Sequence, residues 1–432
     1  MKAAFLSHKH PTYLKALHWS KLITISGGAQ VLVQGAGLLC GLLVVRLLPT
    51  QEYALYTIAN TMLGTMTVLA DGGIFNGVLA LGGKVWQDEK QLGDVITTGL
   101  HMRRKFSFLS LIIAIPLLSY LLIHQGAGWL TTSLLLLSII PAFISALSDT
   151  LLEVMPKLNQ DINFLQRNQL LVSILRLFLS AITLFIFPVA SLAIICSGVS
   201  RIYGNNKLRI KYNIILDKGN PRKDIQHEIE KTVKRVMPSA LFYCFSSQIT
   251  VWLISVFGNS ESVAEIGALG RITTIFTVFN SIFAALIIPR YARLNEDKPL
   301  LIKNYFIILI ISTMTLSISC LLTFLFSHHL LSILGEKYYG LDTELFIYVL
   351  TTCVGLLSGI HSSLASSRGW FINPLITISF ETLIIILGVF IFDLSNLEGA
   401  IFYNLYLFCS YFLQYFVYFL HRIKTIPDTI QS

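Results

Sequence analysis

The sequence predicts an all-α polytopic membrane protein of about twelve transmembrane helices in two six-helix lobes, and three observations predict it. Composition is the first: 54% of the 432 residues are hydrophobic, only 13% are charged and the mean hydropathy is +0.70, far outside what a soluble globular domain keeps in water. The second is the recurrence of apolar runs of roughly 20 residues, the length that crosses hydrocarbon as a helix. The third is the placement of basic residues once those runs are taken as spans. Arg46 and Lys337 fall on one face and Arg176 and Arg271 inside spans, leaving 28 of the 32 Lys and Arg on the opposite face. The positive-inside rule makes that opposite face, and both termini, cytoplasmic.

The first span covers Leu22 to Leu48 and ends at Arg46 and Pro49. It is too long for a signal-peptide core and lacks a small-residue cleavage site, so it reads as a retained span. The following spans centre near Thr67, Ala114, Pro141, Ile174, Ala193, Ser247, Val278, Ile311, Gly355, Ile386 and Leu407. Their connections alternate in charge. Lys2 to Lys21, Lys84 to Lys105, Lys157 to Arg167, Arg201 to Arg235, Arg290 to Lys303, Arg368, and Arg422 with Lys424 are basic, whereas those at Glu52, His124, Glu261, Asp342 and Asp393 are short and neutral or acidic. Trp19, Trp86, Trp129 and Trp370 fall near span ends, where an aromatic belt belongs. All six cysteines sit in apolar runs, with no disulfide framework or metal spacing.

The longest polar stretch divides the chain into an N-terminal lobe, residues 1–205, a cytoplasmic linker, 206–235, and a C-terminal lobe, 236–432. Ile225, Ile229, Val233 and Val236 recur near four-residue spacing, which reads either as an amphipathic helix lying on the membrane or as part of a solvated basic linker. Tyr13, Leu14 and Leu17 pose the same choice before the first span. The halves also repeat at an offset of 210: PTQEYALYTIANTM from Pro49 and NSESVAEIGALGRI from Asn259 both occupy the turn between the first and second span of a half. Two halves with equal span number and orientation are related by an axis along the membrane normal, which places a substrate site at their interface.

RLLPTQEYALYTIANTM from Arg46 and VLADGGIFNGV from Val68 resemble the opening of the polysaccharide transporters, the O-antigen flippases of the multidrug/oligosaccharidyl-lipid/polysaccharide (MOP) exporter superfamily. The matching positions are Arg46, Leu47, Leu48, Glu52, Tyr53, Tyr56, Asp71 and Gly73. Pro49 and Ala54 depart from the usual glycines, as do Ala264 and Ile266 from the glycine and tyrosine of the second-half turn. In length, span count and break position the resemblance covers essentially the whole chain. It implies two lobes around a central cavity that opens alternately to either side of a bacterial cytoplasmic (inner) membrane. The implied cargo is an undecaprenyl-pyrophosphate-linked oligosaccharide, an O-antigen, capsule or related unit, and the implied neighbours are a polysaccharide polymerase and chain-length proteins.

Physical reasoning fits such a cargo, because a glycan cannot cross hydrocarbon unaided and a pyrophosphate needs cations. Four ionisable residues lie well inside spans: Asp71, Arg176, Arg271 and Glu381. Each charge at mid-bilayer costs about 2.5 to 3.5 kcal/mol, so each must face the interior or find a partner. Arg176 and Arg271 read as anion contacts, one from each lobe, or as partners of a buried acid or of backbone carbonyls. Asp71, flanked by Gly72, Gly73 and Gly77, which permit close approach or a helix break, serves packing or an ion pair, or couples transport to H⁺ or Na⁺. Glu381 has the same two readings. Arg46 either snorkels from the end of span one or meets substrate. Tyr53, Tyr56, Asn60, Gln30 and Gln34 suit a glycan path by chemistry. His361 with Ser362, Ser363, Ser366 and Ser367 either lines that path or makes helix contacts.

No G-x-x-x-x-G-K-[ST] segment, catalytic triad or metal cluster is present, so neither ATP hydrolysis nor a cofactor is expected beyond a coupling ion. The net charge of +9 is accounted for by topology and needs no nucleic acid. A cation-coupled drug exporter of the same superfamily would favour carboxylates over opposing arginines. A membrane polysaccharide polymerase or ligase would need a larger outer loop.

Overall fold

The computed structural model describes residues 31–276, 287–292, 297–368 and 372–424, with single residues 28, 279, 280, 283, 294 and 370. Tyr13, Leu14, Leu17, Trp19, Gln30 and Val278 lie outside the described residues, which contain no strand. The first half consists of α1 (Val31–Leu47), α2 (Thr50–Asp71), α3 (Ile74–Val85), α4 (Glu89–His124), α5 (Trp129–Leu152), α6 (Val154–Leu158), α7 (Ile162–Ile186) and α8 (Ala190–Lys211). A short α9 (Asn213–Lys218) leads to α10 (Lys223–Phe257) and α11 (Ser260–Thr273). Then come α12 (Ile288–Ala292), α13 (Lys298–Leu325), α14 (Ser327–Leu334), α15 (Asp342–Ser367), α16 (Pro374–Ile391) and α17 (Leu397–Lys424).

Among the described residues, seven helices are long and apolar enough to cross a membrane, or nine when two bent pairs each count as one span. The protein is therefore a multi-pass membrane protein. Of the other three expected spans, α1 is apolar but 17 residues long and α11 covers only the first part of the eighth. The sixth, α8, carries Arg201, Asn205, Asn206, Lys207, Arg209 and Lys211, too polar to face lipid throughout. It packs closely on α5: a Cβ on Gly198 would stand 2.9 Å from the Ala142 backbone. A helix sheltered by protein does not need a lipid-facing surface of its own.

Helix starts in the second half follow those of the first within three residues of the expected spacing of 210, Thr50 by Ser260, Glu89 by Lys298 and Ala190 by Leu397. The two halves meet where the repeat says equivalent residues should. Thr57 of α2 faces Gly267 of α11, where a Cβ would come within 2.5 Å of the threonine hydroxyl. At the same end the Gln125 amide donates to the carbonyls of Ser255 (2.7 Å) and Gly258 (3.2 Å), and the Ser260 hydroxyl donates back to Gln125 Oε1 at 2.9 Å.

Two sequence expectations are corrected here. Ile225, Ile229, Val233 and Val236 do not lie on the membrane: they begin α10, which continues into the seventh span and packs on α3. Ile229 and Val233 are buried, and Gly73 and Gly77 let the helices approach so closely that added Cβ atoms would stand 3.1 Å from Val236 and Ile229. Arg103, counted by the sequence among the basic cytoplasmic residues of Lys84 to Lys105, is 3% exposed within α4. The stretch after α8 is also docked: Asn220 N–H donates to Asp94 at 2.7 Å and Arg222 N–H to the Thr98 hydroxyl at 3.0 Å.

Candidate functional site

Pro49 ends the first span and α2 begins directly after it, setting Tyr53, Tyr56 and Asn60 on one face at i, i+3 and i+7. The Tyr53 and Tyr56 rings stack with centroids 5.9 Å apart and are almost wholly buried. Glu52, one residue earlier, faces elsewhere: its carboxylate accepts from Ala190 N–H at 2.7 Å and caps α8 at the positive end of that helix.

Two guanidiniums converge on the tyrosines from different halves of the chain. Arg176 of α7 donates to the Tyr56 hydroxyl at 3.5 Å, while its Nε is buried without a partner. Arg271 of α11 donates from Nε to the Tyr53 hydroxyl at 3.3 Å, and its guanidinium carbon lies 5.7 Å from the centre of the Tyr56 ring. Gly41 of α1 makes room for it, since a Cβ there would stand 3.1 Å from Arg271 Cδ. Tyr348 of α15 completes the wall, its hydroxyl 3.3 Å from where a Cβ on Gly270 would sit. Among the described residues neither arginine has a carboxylate within ion-pair distance. A guanidinium has five N–H donors and stays charged. Here phenolic oxygens fill one of them on each side, and both residues are only half-buried. The arrangement can accept a multiply charged anion.

Asn60 is half-buried one turn beyond Tyr56, and Gly64 after it is exposed with no atom within 4 Å of a would-be Cβ. Gln34 is half-buried on α1.

Asp71 does not join the cluster, lying roughly 22 Å farther along the helix. The glycines beside it break the span: Gly72 and Gly73 adopt left-handed φ of +50° and +94°, and α3 leaves at 50° to α2. The carboxylate caps α3, accepting from Phe75 N–H at 3.0 Å and Gly73 N–H at 3.3 Å. Its ion partner is Arg103, which donates from Nε at 2.9 Å and also from Nη2. Arg103 spends its remaining reach on the Leu147 carbonyl (2.6 Å) and the Thr150 hydroxyl (2.7 Å). The sequence reading paired Asp71 only with intramembrane arginines. It missed Arg103 because two basic neighbours, Arg104 and Lys105, gave the whole run a cytoplasmic character.

Glu381 of α16 is 8% exposed and has no ion pair among the described residues. His361 lies apart from the tyrosines, fully buried in the second half. Its Nδ1 is 2.6 Å from the Tyr305 hydroxyl, and Phe412 stands edge-on to its ring. Ser366 and Ser367 donate to carbonyls of their own helix. Among the described residues, His361 is surrounded by the rings of Tyr305, Phe412 and Phe416. Arg46 is exposed at the end of α1 and borders a groove between α1 and α7.

Solved structures resemble this arrangement over nearly the whole chain. A multidrug resistance transporter of the MATE family, MOP superfamily, in an inward-facing conformation matches with a TM-score of 0.73 at 17% identity, covering 93% of this chain and 96% of that one. The fold is that of the MOP transporters. A MOP superfamily transporter from Pyrococcus furiosus, described for the reversed polarity of its binding pocket, matches this MOP-fold chain with a TM-score of 0.66 at 16% identity, over 94% of this chain and 95% of its own. A MATE transporter in an outward-facing conformation gives 0.62 at 15%, over 94% and 96%. No protein-family model matches the sequence, and neither does any curated protein.

Proposed function

We propose that this protein is a flippase that carries an undecaprenyl-pyrophosphate-linked oligosaccharide across the bacterial cytoplasmic membrane by alternating access of two lobes, 1–205 and 236–432, with both termini inside. One observation carries the reading: two half-buried guanidiniums, one from each half and neither bound to a carboxylate among the described residues, meet at a tyrosine pair. A desolvated cation without a counter-ion is costly to keep, and an anionic cargo supplies the missing partner. Tyr53, Tyr56 and Asn60 offer stacking and hydrogen-bonding surface to sugars. Direction comes from an H⁺ or Na⁺ gradient, or from consumption of the cargo by a polymerase acting with chain-length proteins. Glu381 is the favoured coupling carboxyl, because Asp71 is already held by Arg103.

The second reading, a cation-coupled multidrug exporter, draws on the multidrug resistance transporters that share the fold. The charge at the site argues against it, since an organic cation would meet two arginines.

The test compares Arg271→Lys with Arg271→Ala, and Arg176 likewise, reading surface glycan beside protein abundance. Lysine keeps the charge but loses the bidentate fork, so partial export is expected, whereas alanine should abolish export at normal abundance. In vesicles the purified protein should work without ATP and respond to a pH or Na⁺ gradient, and Glu381→Gln should remove that response. Normal glycan display by both alanine variants would refute the reading. Efflux of organic cations that strengthens in those variants would establish the exporter.

A further inference from the structure

Every residue of α2 from Tyr53 to Ala59 is buried, whereas Asn60 and Thr61 are half-buried and Gly64 is exposed. The covered part is the end of the helix that the basic-residue asymmetry places outside. Two residues before Tyr53, the Gln51 amide donates to the Gln125 carbonyl at 2.6 Å. Gln125 caps the end of α4 and is 4% exposed. Gly126 after it takes a left-handed φ of +82°, a turn that favours glycine. The Gln125 side chain crosses to the other half and engages its whole amide there. Its nitrogen serves the carbonyls of Ser255 and Gly258, while the Ser260 hydroxyl stands 2.9 Å from Oε1 and 3.1 Å from the Gln125 carbonyl. A second crossing lies just ahead of α2. There Lys337, in the 3₁₀ turn Glu336–Tyr338, donates from Nζ to the Leu48 carbonyl at the end of α1, the end of a helix dipole that favours a cation.

We propose that Gln125 is the latch of an outer gate: it holds the two halves closed over the tyrosines on the outside, Lys337 supports it, and their release opens the site outward. The inference rests on alternating access of the two halves and not on the cargo they carry. The bond chemistry fits a contact that breaks and re-forms in every cycle. A neutral hydrogen bond between the halves is exchanged on opening for one with water, at small net cost. Separating a buried ion pair would instead strand charge, and the pairs of Asp71 with Arg103 and Asp161 with Lys211 lie within the first half. Lys337 is exposed, so its ammonium regains water when it lets go of Leu48.

The experiment follows one cysteine, Asn60→Cys, in the full-length protein with its native cysteines replaced by alanine. Its labelling by an impermeant thiol reagent is timed in intact cells, from outside, and in inside-out vesicles, from the cytoplasmic side. With Gln125 intact, labelling should be faster from the cytoplasmic side. Gln125→Ala should raise the outside rate about tenfold and lower the cytoplasmic rate, because a latch shifts the population between two states. Lys337→Met should act in the same direction and more weakly. Gln125→Glu keeps the shape and the acceptor for Ser260 but sets a carboxylate against two carbonyls. It should match the alanine variant, and it guards against misfolding of that one. Faster labelling at both faces would mean that Gln125 only packs the fold, and an unchanged outside rate in both Gln125 variants would mean that closure is held elsewhere. Either result overturns the latch and leaves the flippase reading to its own test at Arg176 and Arg271. Faster labelling from outside with Gln125 intact also overturns it, since the outer mouth would already be open.

Discussion

Arg103 is a buried cation and Arg271 a half-buried one, and what separates them is whether a carboxylate stands within reach among the described residues. Arg103 has Asp71, the Leu147 carbonyl and the Thr150 hydroxyl, so its charge is consumed by structure. Arg271 has a phenol and the face of a ring, which leave most of its donors open. Opposite mutational behaviour follows. Asp71→Asn strands Arg103 and should cost about 3 to 5 kcal/mol, seen as lost membrane abundance, with partial recovery in the Asp71→Asn, Arg103→Gln pair. Arg271→Ala strands no acid and should leave abundance intact. Equal abundance of Asp71→Asn and the unaltered protein would show that the pair is not structural.

At the scale of elements, α2 is the helix on which both halves are built. One face meets α4, α5 and α8, and another meets α10 and α11. It approaches the other half closely at Thr57 and Gly267, where the absent side chain allows contact. Gly267→Leu should force the halves apart at a cost of about 1 to 3 kcal/mol, measurable as a lowered melting temperature in detergent. An unchanged melting temperature would mean that the contact is not held. A second link joins the start of α7 to the end of α8, where Asp161 pairs with Lys211. The Lys211 hydrogen bond holds the Asp161 carboxyl below its ordinary range. A depressed folded-state value contributes stability above the ordinary carboxylate pKa and loses it as pH falls through the depressed one. Both side chains are about a third exposed, so the link is worth only about 0.2 to 1 kcal/mol. Asp161→Asn should flatten the acid limb of the stability curve by that amount, and an unaltered limb would show the pair contributes nothing.

At the scale of the whole molecule, the asymmetry of basic residues along the sequence predicts an orientation that labelling can read. Asn220 and Asn396 are both exposed, at opposite ends of the bundle. A cysteine introduced at Asn396 should react with an impermeant thiol reagent from outside intact cells, and one at Asn220 should not. The reverse pattern would invert the topology. Gln125, equally placed by sequence, is a poor probe because it is buried between the halves.

The sequence by itself determined the class and the helical architecture, and it raised the 210-residue offset between halves and the four ionisable residues within apolar runs as expectations. These depend on composition, on run length against bilayer thickness and on charge asymmetry, all written along one dimension. It also named Tyr53, Tyr56, Arg176 and Arg271, but as separate candidates. Only the tertiary structure decided that α1, α2, α7 and α11 bring them together, that Asp71 belongs to Arg103, and that His361 sits among aromatic rings. Ion pairs and pockets join residues tens to hundreds of positions apart, 32 for Arg103 with Asp71 and 218 for Arg271 with Tyr53. Helical periodicity reports which face a residue occupies and not which helix that face meets. The apolar stripe of α10 shows the same limit: its spacing is identical whether it lies on lipid or on Gly73 and Gly77, and the packing partner alone distinguishes the two.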